Sequence, residues 1–498
     1  MKKGQYNIEK QHAKGKLHAI ERIDHLVDKG SFNEIGFEIT HDCKQFGMEK
    51  KSAPYDGVIT GFGTIHGKPV ALYSQDFTII GGSLGKMHGE KIGNLIQSAI
   101  EIGCPIIGIN DSGGARIQEG VQALAGYGKI FYHNTKASGY VPQISIIAGP
   151  CAGGAVYSPG LTDFIYVIDE ISNMFVTGPK VVKQALFEDV TAEQLGGARM
   201  HATKSGVAHF RAESEVMCYH SVRELLALIP HCAADGPQPI QEHYVRKNQS
   251  RANRIIPDQA KAAYDINSLI DLISDRGTFI EVMAEYAPNM VVGFARLSGA
   301  VVGIVANQPK VMGGVIDCDA SDKTARFVRY CDAFTIPLVT LVDVPGFMPG
   351  LDQETKGIIR HGAKMLYAYS EASVPKITVI ARKAFGGAYI AMCSKHLGSD
   401  QVFAWPTAQI AVMGAEGAVD VLYGKEIGAA PDPKAAREEK IEQYNDEFLN
   451  PRLAAKAGYI DDIIEPDETR QRVYDTLRML SKKRPTDVVG KRHGNIPL

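Results

Sequence analysis

Apolar and polar positions follow two periods along this 498-residue chain, and the periods alternate. Residues 57–76 (GVITGFGTIHGKPVALYSQD) are β-branched and apolar residues broken by glycine. They predict a pair of hairpin strands, with GFGTIHGKP supplying the turn. Residues 90–103 (EKIGNLIQSAIEIG) repeat at helical spacing. PIIGIND (105–111) and QISIIAG (143–149) are short apolar runs that end in glycine-rich turns, the pattern of buried strands. FIYVID (164–169) and NMFVTG (173–178) continue the series. Residues 1–50 predict a helical lead-in, and 233–262, polar and proline-bearing, predict an interdomain linker. The alternation then restarts with FARLSGAVVGIVANQP (294–309), DKTARFVRYCDAF (322–334), PLVTLVDVPG (337–346) and KITVIARKAFGGAYIAM (376–392). Alternating buried strands and helices predict a layered α/β fold.

The restart is a repeat. With a shift of 232 residues, Gly81-Gly82 falls on Gly313-Gly314, Lys91 on Lys323, Pro105 on Pro337, Asp111 on Asp343 and Gly114 on Gly346. One residue of further slip sets Gly153-Gly154-Ala155 on Gly386-Gly387-Ala388, and Gly178 later falls on Gly414. Such a ladder implies two copies of one fold, and so two related pockets and two bound partners. The expected domains are 1–250 and 251–498.

Composition narrows the function classes. Apolar residues make up 45% and charged residues 22%, as in ordinary globular proteins. A net charge of −2 gives no field favouring nucleic acid. No apolar run of about 18 residues suggests a membrane span, and the polar N-terminus lacks a signal-peptide pattern. These features lead us to expect a cytoplasmic protein. The eight cysteines form no CxxC pair and mostly sit in apolar runs, so buried thiols are expected rather than a zinc site, and no metal.

The chemistry-bearing signal is glycine. In each copy a strand stops at a small-residue cluster and a helix follows: AGPCAGGAVYSPG (148–160) and RKAFGGAYIAMC (382–393). Helix starts leave N–H groups without intrahelical partners, and glycine lets a ligand approach them. Gly154, Ala155, Gly387 and Ala388 are therefore candidate oxyanion-hole residues. The second donor of each hole could come from Gly113-Gly114-Ala115 in DSGGARIQEG and from Gly346 in DVPGFMPG. The alternative is that these glycines only permit tight strand–helix packing. Other motifs are missing: no GxGxxG follows a strand, and there is no GxxxxGKS/T, HExxH or GxSxG. Arg116 and Glu119 are expected to pair and brace their loop. His361 is expected to pack or lie on the surface. Lys91 and Lys323 are expected on the surface, the alternative being that they meet phosphates or carboxylates.

NDSGGARIQEGVQALAGYGKIF (110–131), IAGPCAGGAVYSPGLTDF (147–164), NQPKVMGG (307–314), VDVPGFMPG (342–350), IIRHGAKMLYAYSEASVPKITVI (358–380) and AWPTAQIAVMGAEGAV (404–419) resemble the carboxyltransferase subunits of biotin-dependent acyl-CoA carboxylases, decarboxylases and transcarboxylases. The resemblance implies tandem duplicated domains of the crotonase (ClpP-like) superfamily. It implies acyl-CoA on the first domain and biotin on the second, with sites shared between subunits of a homohexamer. By that resemblance Gly154 and Ala155 match the hole for the acyl thioester, and Gly387 and Ala388 the hole for the biotin ureido oxygen. Propionyl-CoA carboxylase subunits typically read GGAYDVM where this chain reads GGAYIAM, so Ile390 is a candidate acyl-pocket residue and the direction of transfer stays open. No AMKM biotin-acceptor motif is present. Biotin, its carrier protein, and a biotin carboxylase subunit or membrane decarboxylase subunit are implied to be other chains. Rival readings are an enoyl-CoA hydratase-like enzyme without biotin, a scaffold of a biotin complex, and a serine protease on the same fold using Ser158, for which no companion histidine is evident.

Overall fold

The computed structural model describes residues 8–236, 249, 251–257, 259, 262–483 and 495–498. Much of the expected linker and most of the basic tail at 481–498 lie outside the described residues. The chain divides after Gly236 into two compact units.

The first unit is built on one twisted sheet. Its strands are β1 (Asn33–Ile35), β2 (Val58–Ile65), β3 (Lys68–Gln75), β4 (Ile106–Ser112), β5 (Gln143–Ala152), β6 (Phe164–Ile168), β7 (Asn173–Phe175) and β8 (Phe210–Ala212). They run in the order β1-β2-β3-β4-β5-β6-β8, with β7 paired to the end of β5. β2 and β3 form the expected hairpin, Val58 opposite Gln75 and Ile65 opposite Lys68. His66 and Gly67 make its two-residue turn, both left-handed at φ 52° and 74°. From β3 to β8 the pairing is parallel, so each connection must cross over one face. The helices Lys86–Ile102 and Val121–Ala137 are two such crossovers. The first buries Ile92, Leu95, Ile96 and Ala99 against Ala71, Ile106 and Ile147 of the sheet, and left-handed Gly103 ends it.

The second unit repeats this plan. Its strands are β9 (Ile280–Val282), β10 (Met290–Leu297), β11 (Ala300–Asn307), β12 (Leu338–Val344), β13 (Lys376–Phe385), β14 (Gln401–Ala404), β15 (Gln409–Ala411) and β16 (Asp462–Ile463). The order is β9-β10-β11-β12-β13-β14-β16, with β15 on the end of β13. Cys318–Ala333 and Ile358–Glu371 take the places of the two crossover helices. The repeat reaches the irregularities. The β4–β5 register shifts between Asn110 and Ser112, and the β12–β13 register shifts between Val342 and Val344. Tyr55 and Ala287, His66 and Ser298, and Ile80 and Met312 share left-handed backbone at matching positions.

The continuous helical lead-in is not observed. Ile8–His12 and Ala19–Leu26 are separate short helices, parted by a turn through left-handed Gly15, and His18 is extended and caps the second helix in a box with Glu21. β1 follows. The second unit also carries a helical hairpin, Ala415–Ala429 and Pro433–Phe448.

Candidate functional site

Each unit brings two glycine turns to the carboxyl ends of its central strands. In the first, β5 runs directly into the short helical turn Gly153–Val156. Gly153 is left-handed at φ 64°. A Cβ on Gly154 would lie 3.2 Å from the Tyr127 ring, so the residue has space for little more than its own backbone. Ala155 is buried. In the second unit β13 runs into Gly386–Ala391 in the same way, with Gly386 at φ 60°. A Cβ on Gly386 would approach Val412 O at 3.1 Å, while one on Gly387 would stop 3.9 Å from Phe347. Ala388 is fully buried. An aromatic ring thus floors both turns, but Tyr127 comes from a helix and Phe347 from the loop after β12.

The second turn of each unit is held by a matching pair of backbone bonds. Leu84 N–H donates to Gly114 O at 2.9 Å, and Arg116 N–H donates to Leu84 O at 2.9 Å. In the second unit Ile316 N–H donates to Gly346 O at 3.1 Å, and Met348 N–H donates to Ile316 O at 2.7 Å. Gly114 and Gly346 both need a wide positive φ, 103° and 150°. The Gly113 N–H is taken by Gly81 O at 3.0 Å, and the Gly114 N–H by Ser112 Oγ at 3.2 Å. Of the three candidates in this turn, Ala115 is the one whose N–H makes no hydrogen bond among the described residues.

Charged groups around the turns are committed to structure. Arg116 Nη1 donates to Asp56 Oδ1 at 2.6 Å and to Glu119 Oε1 at 2.8 Å, with all three side chains buried. Arg116 and Glu119 therefore brace the loop, as expected. His361 is half-buried, its Nδ1 2.8 Å from Asp322 Oδ1. Ser158 Oγ donates to Asn134 Oδ1 at 2.9 Å, which gives no nucleophile–histidine pair. Ile390 lies on the short helix after Gly387 and is 38% exposed.

Lys91 and Lys323 overturn the surface expectation. Both are buried. Lys91 Nζ donates to Tyr55 O at 2.9 Å and Val58 O at 2.6 Å. Lys323 Nζ donates to Met283 O at 2.9 Å and Tyr286 O at 2.7 Å. Each ammonium gathers the carbonyls of the left-handed loop before β2 or β10, and so serves a backbone need rather than a ligand. Burial pushes both down to about 8, against the pull of Glu34 and Asp56 on Lys91 and of Glu281 on Lys323.

Two like turns per unit, with Arg116, Asp56, Glu119 and Ser158 near the first unit's turns taken up in structural bonds, suit a chemistry of paired oxyanions. Among the described residues no three His, Cys, Asp or Glu side chains gather as a metal site, and no helix is long and apolar enough to cross a membrane. An open cavity of about 660 Å³, lined by Phe37, His41, Cys43 and Pro54 among others, includes neither turn of the first unit. The carboxyl transferase domain model matches residues 10–496.

The chain belongs to the carboxyl transferase family.

Within the family it is 53% identical to the carboxyltransferase subunit of propionyl-CoA carboxylase from Haloferax mediterranei, over 99% of this chain and 96% of that one. It is 53% identical to the alpha subunit of methylmalonyl-CoA decarboxylase from Veillonella parvula, with 99% and 96% covered. A crystal structure of transcarboxylase 12S, described as a hexamer assembly with methylmalonyl-coenzyme A and methylmalonic acid bound, matches with a TM-score of 0.94 at 52% identity. That match covers 99% of this chain and 94% of the other. The duplicated α/β fold expected from the sequence is the fold of this family member. Reasoning on the glycines alone missed Tyr127 and the polar side chains under the first turn. A position-by-position comparison of the two halves carries that signal.

Proposed function

We propose that this chain is the carboxyltransferase subunit of a biotin-dependent enzyme, moving a carboxyl group between carboxybiotin and a short acyl-CoA of the propionyl/methylmalonyl pair. One observation carries the reading. A family member folds here as two units whose strand-to-helix glycine turns match down to their φ angles, while Arg116 and Ser158 of the first unit are held in structural bonds. The first unit, with Gly154, Ala155 and the Ala115 turn, takes the acyl thioester. The second, with Gly387, Ala388 and the Gly346 turn, takes the biotin ureido group.

Enolate formation at the thioester moves charge onto its oxygen, and N–H groups at a helix start meet that charge without reorganising. A Cβ added at Gly387 would meet the Phe347 ring at 3.9 Å, an ordinary van der Waals contact, so this turn is less crowded than the one at Gly154. Biotin, carried on another chain, supplies the carboxyl group and a ureido oxygen for this second turn. The chain's own part is to bind, orient and stabilise charge. Each donor in such a hole is worth about 3–4 kcal/mol.

Homohexamer assembly, an acyl-CoA substrate and a separate biotin carrier belong to the same proposal, along with a biotin carboxylase or membrane decarboxylase partner. Apolar side chains stand exposed at matching places on both units: Tyr157 and Ile390, Val176 and Val412, Leu186 and Leu422. This supports pairing of the first unit of one copy with the second unit of another. The test is carboxyl transfer between free biotin and methylmalonyl- or propionyl-CoA by the purified chain. Transfer supports the reading. Hydration of an enoyl-CoA with no transfer would replace it with the hydratase-like one.

A further inference from the structure

The two units share a backbone but not the floor beneath the first glycine turn. Strands β2 to β4 match β10 to β12 at a shift of 232, and β5 matches β13 at 233. The crossover helices align at their ends, where Ser138 N–H donates to Asn134 O and Ala372 N–H donates to Ala368 O. In the first unit the buried floor holds Tyr73, Asn110, Ser112, Asn134, Cys151 and Ser158. The matching residues of the second unit are Val305, Val342, Val344, Ala368, Ala384 and Ala391, all buried and all apolar. Deeper in the second unit polar pairs remain, among them Thr340 with Tyr369 at 3.0 Å and Thr378 with Ser399 at 3.1 Å.

Separate hydrogen bonds of the polar floor reach both turns. Ser158 Oγ donates to Asn134 Oδ1 at 2.9 Å. The Tyr73 hydroxyl donates to Asn110 Oδ1 at 3.3 Å. Ser112 Oγ accepts the Gly114 N–H at 3.2 Å. Cys151 Sγ donates to Ala155 O at 3.3 Å. The Tyr127 ring lies under Gly154, and its buried hydroxyl makes no hydrogen bond among the described residues. Burying polar groups is unfavourable unless they are paired, and paired groups return little net stability. The second unit reaches the same backbone over an apolar floor, so the fold does not require the polar one. Departures from an apolar core at such a place mark function.

We propose that Ser112, Cys151 and the Tyr127 ring are positioning elements that hold Gly114, Ala155 and Gly154, so that the first unit's N–H donors are already aimed when the thioester oxygen gains charge. This rests on the reading of the first unit as the acyl-CoA side. The second unit, whose partner's charge is spread over a ureido group, works over a plain floor.

The experiment is carboxyl transfer by the full chain, with propionyl-CoA and free biotin varied independently and thermal unfolding recorded alongside. The variants are Ser112→Ala and Cys151→Ala, of which Cys151→Ala installs the second unit's own residue, with Gly154→Val for reference. The expected result is a fall in kcat of about tenfold for each of the first two, the worth of one ordinary hydrogen bond. KM for propionyl-CoA and for biotin should stay within about twofold, as expected when the lost interaction belongs to the transition state. A kcat equal to wild type in both variants, or a kcat loss that tracks a lowered Tm, would overturn the array while leaving the site assignment standing. An inactive wild type, or full activity in Gly154→Val, would instead remove the site assignment itself.

Discussion

Asp111 and Asp343 sit at the same strand end in the two units, yet they are neutralised from opposite directions. Asp111 meets Lys16 Nζ at 2.6 Å and Arg22 Nη1 at 2.9 Å, both from the N-terminal segment, and Gln11 adds a longer contact at 3.3 Å. Asp343 meets Arg382 Nε at 2.9 Å, and Arg382 belongs to the neighbouring strand β13. The residue matching Arg382 in β5 is Gly149. A Cβ there would lie 2.0 Å from Asp111 Oδ1 and 2.5 Å from Lys16 Nζ. The fold asks for a buried carboxylate with a cation beside it, three residues ahead of Gly114 or Gly346. It leaves open which element supplies the cation. The first unit spends its N-terminal helices on the task, and the second solves it within the sheet.

The largest expected effect breaks the simpler of these clamps. Arg382→Met should destabilise the second unit by about 3–5 kcal/mol, because it leaves a buried carboxylate uncompensated. Lys16→Met should cost far less, since Arg22 still covers Asp111. Urea unfolding followed by hydrogen exchange in each unit would rank the two, and equal losses would show that the clamps are not independent solutions.

Next in size is a pH effect that the units should share. Lys91 and Lys323 titrate near 8 in the native chain, below the ordinary 10.5 that they regain on unfolding. Between those values the unfolded chain binds more protons, so their contribution to stability rises with pH across the window. The rise is up to about 3 kcal/mol for each lysine. Lys91→Met and Lys323→Met should each flatten the stability curve between about pH 8 and 10.5 relative to wild type. A curve unchanged by both variants would mean that the native lysines hold their protons as the unfolded ones do.

A smaller effect concerns substrate choice. Ile390 is the aliphatic residue where propionyl-CoA carboxylases typically carry aspartate, and it matches Tyr157 in the first unit. Apolar pockets discriminate a methylene by about 1–3 kcal/mol. Ile390→Asp should therefore change the ratio of kcat/KM among acetyl-, propionyl- and butyryl-CoA by roughly tenfold without unfolding the chain. An unchanged ratio would remove Ile390 from the acyl pocket.

Much of this architecture is legible in the sequence because it rests on period and repetition. The hairpin at 57–76, the crossover helices and the matched glycine turns all follow from local pattern plus a constant shift. What escaped was decided by tertiary context. A lysine inside a helical pattern reads as surface, and nothing local announces that the carbonyls of a left-handed loop will converge on Lys91 or Lys323. The lead-in reads as helical by its spacing. Its first helix ends at His12, left-handed Gly15 follows, and His18 then caps the next helix while Lys16 and Arg22 turn inward to Asp111. The polar floor under Gly154 was legible in principle, since Tyr73 against Val305 and Ser158 against Ala391 can be read once the halves are aligned. Its meaning needed the burial and the bonds.

The division of labour between the units is tested most directly by carboxyl-transfer kinetics of Gly154→Val and Gly387→Val, with acyl-CoA and biotin varied separately. Each variant should lose at least about a hundredfold in kcat, the cost of disturbing an oxyanion-hole donor. Gly387→Val should bind propionyl-CoA nearly as wild type does while losing carboxybiotin decarboxylation, and Gly154→Val should fail at thioester activation. Equal weakening of acyl-CoA affinity in both variants, with biotin chemistry spared, would contradict the account.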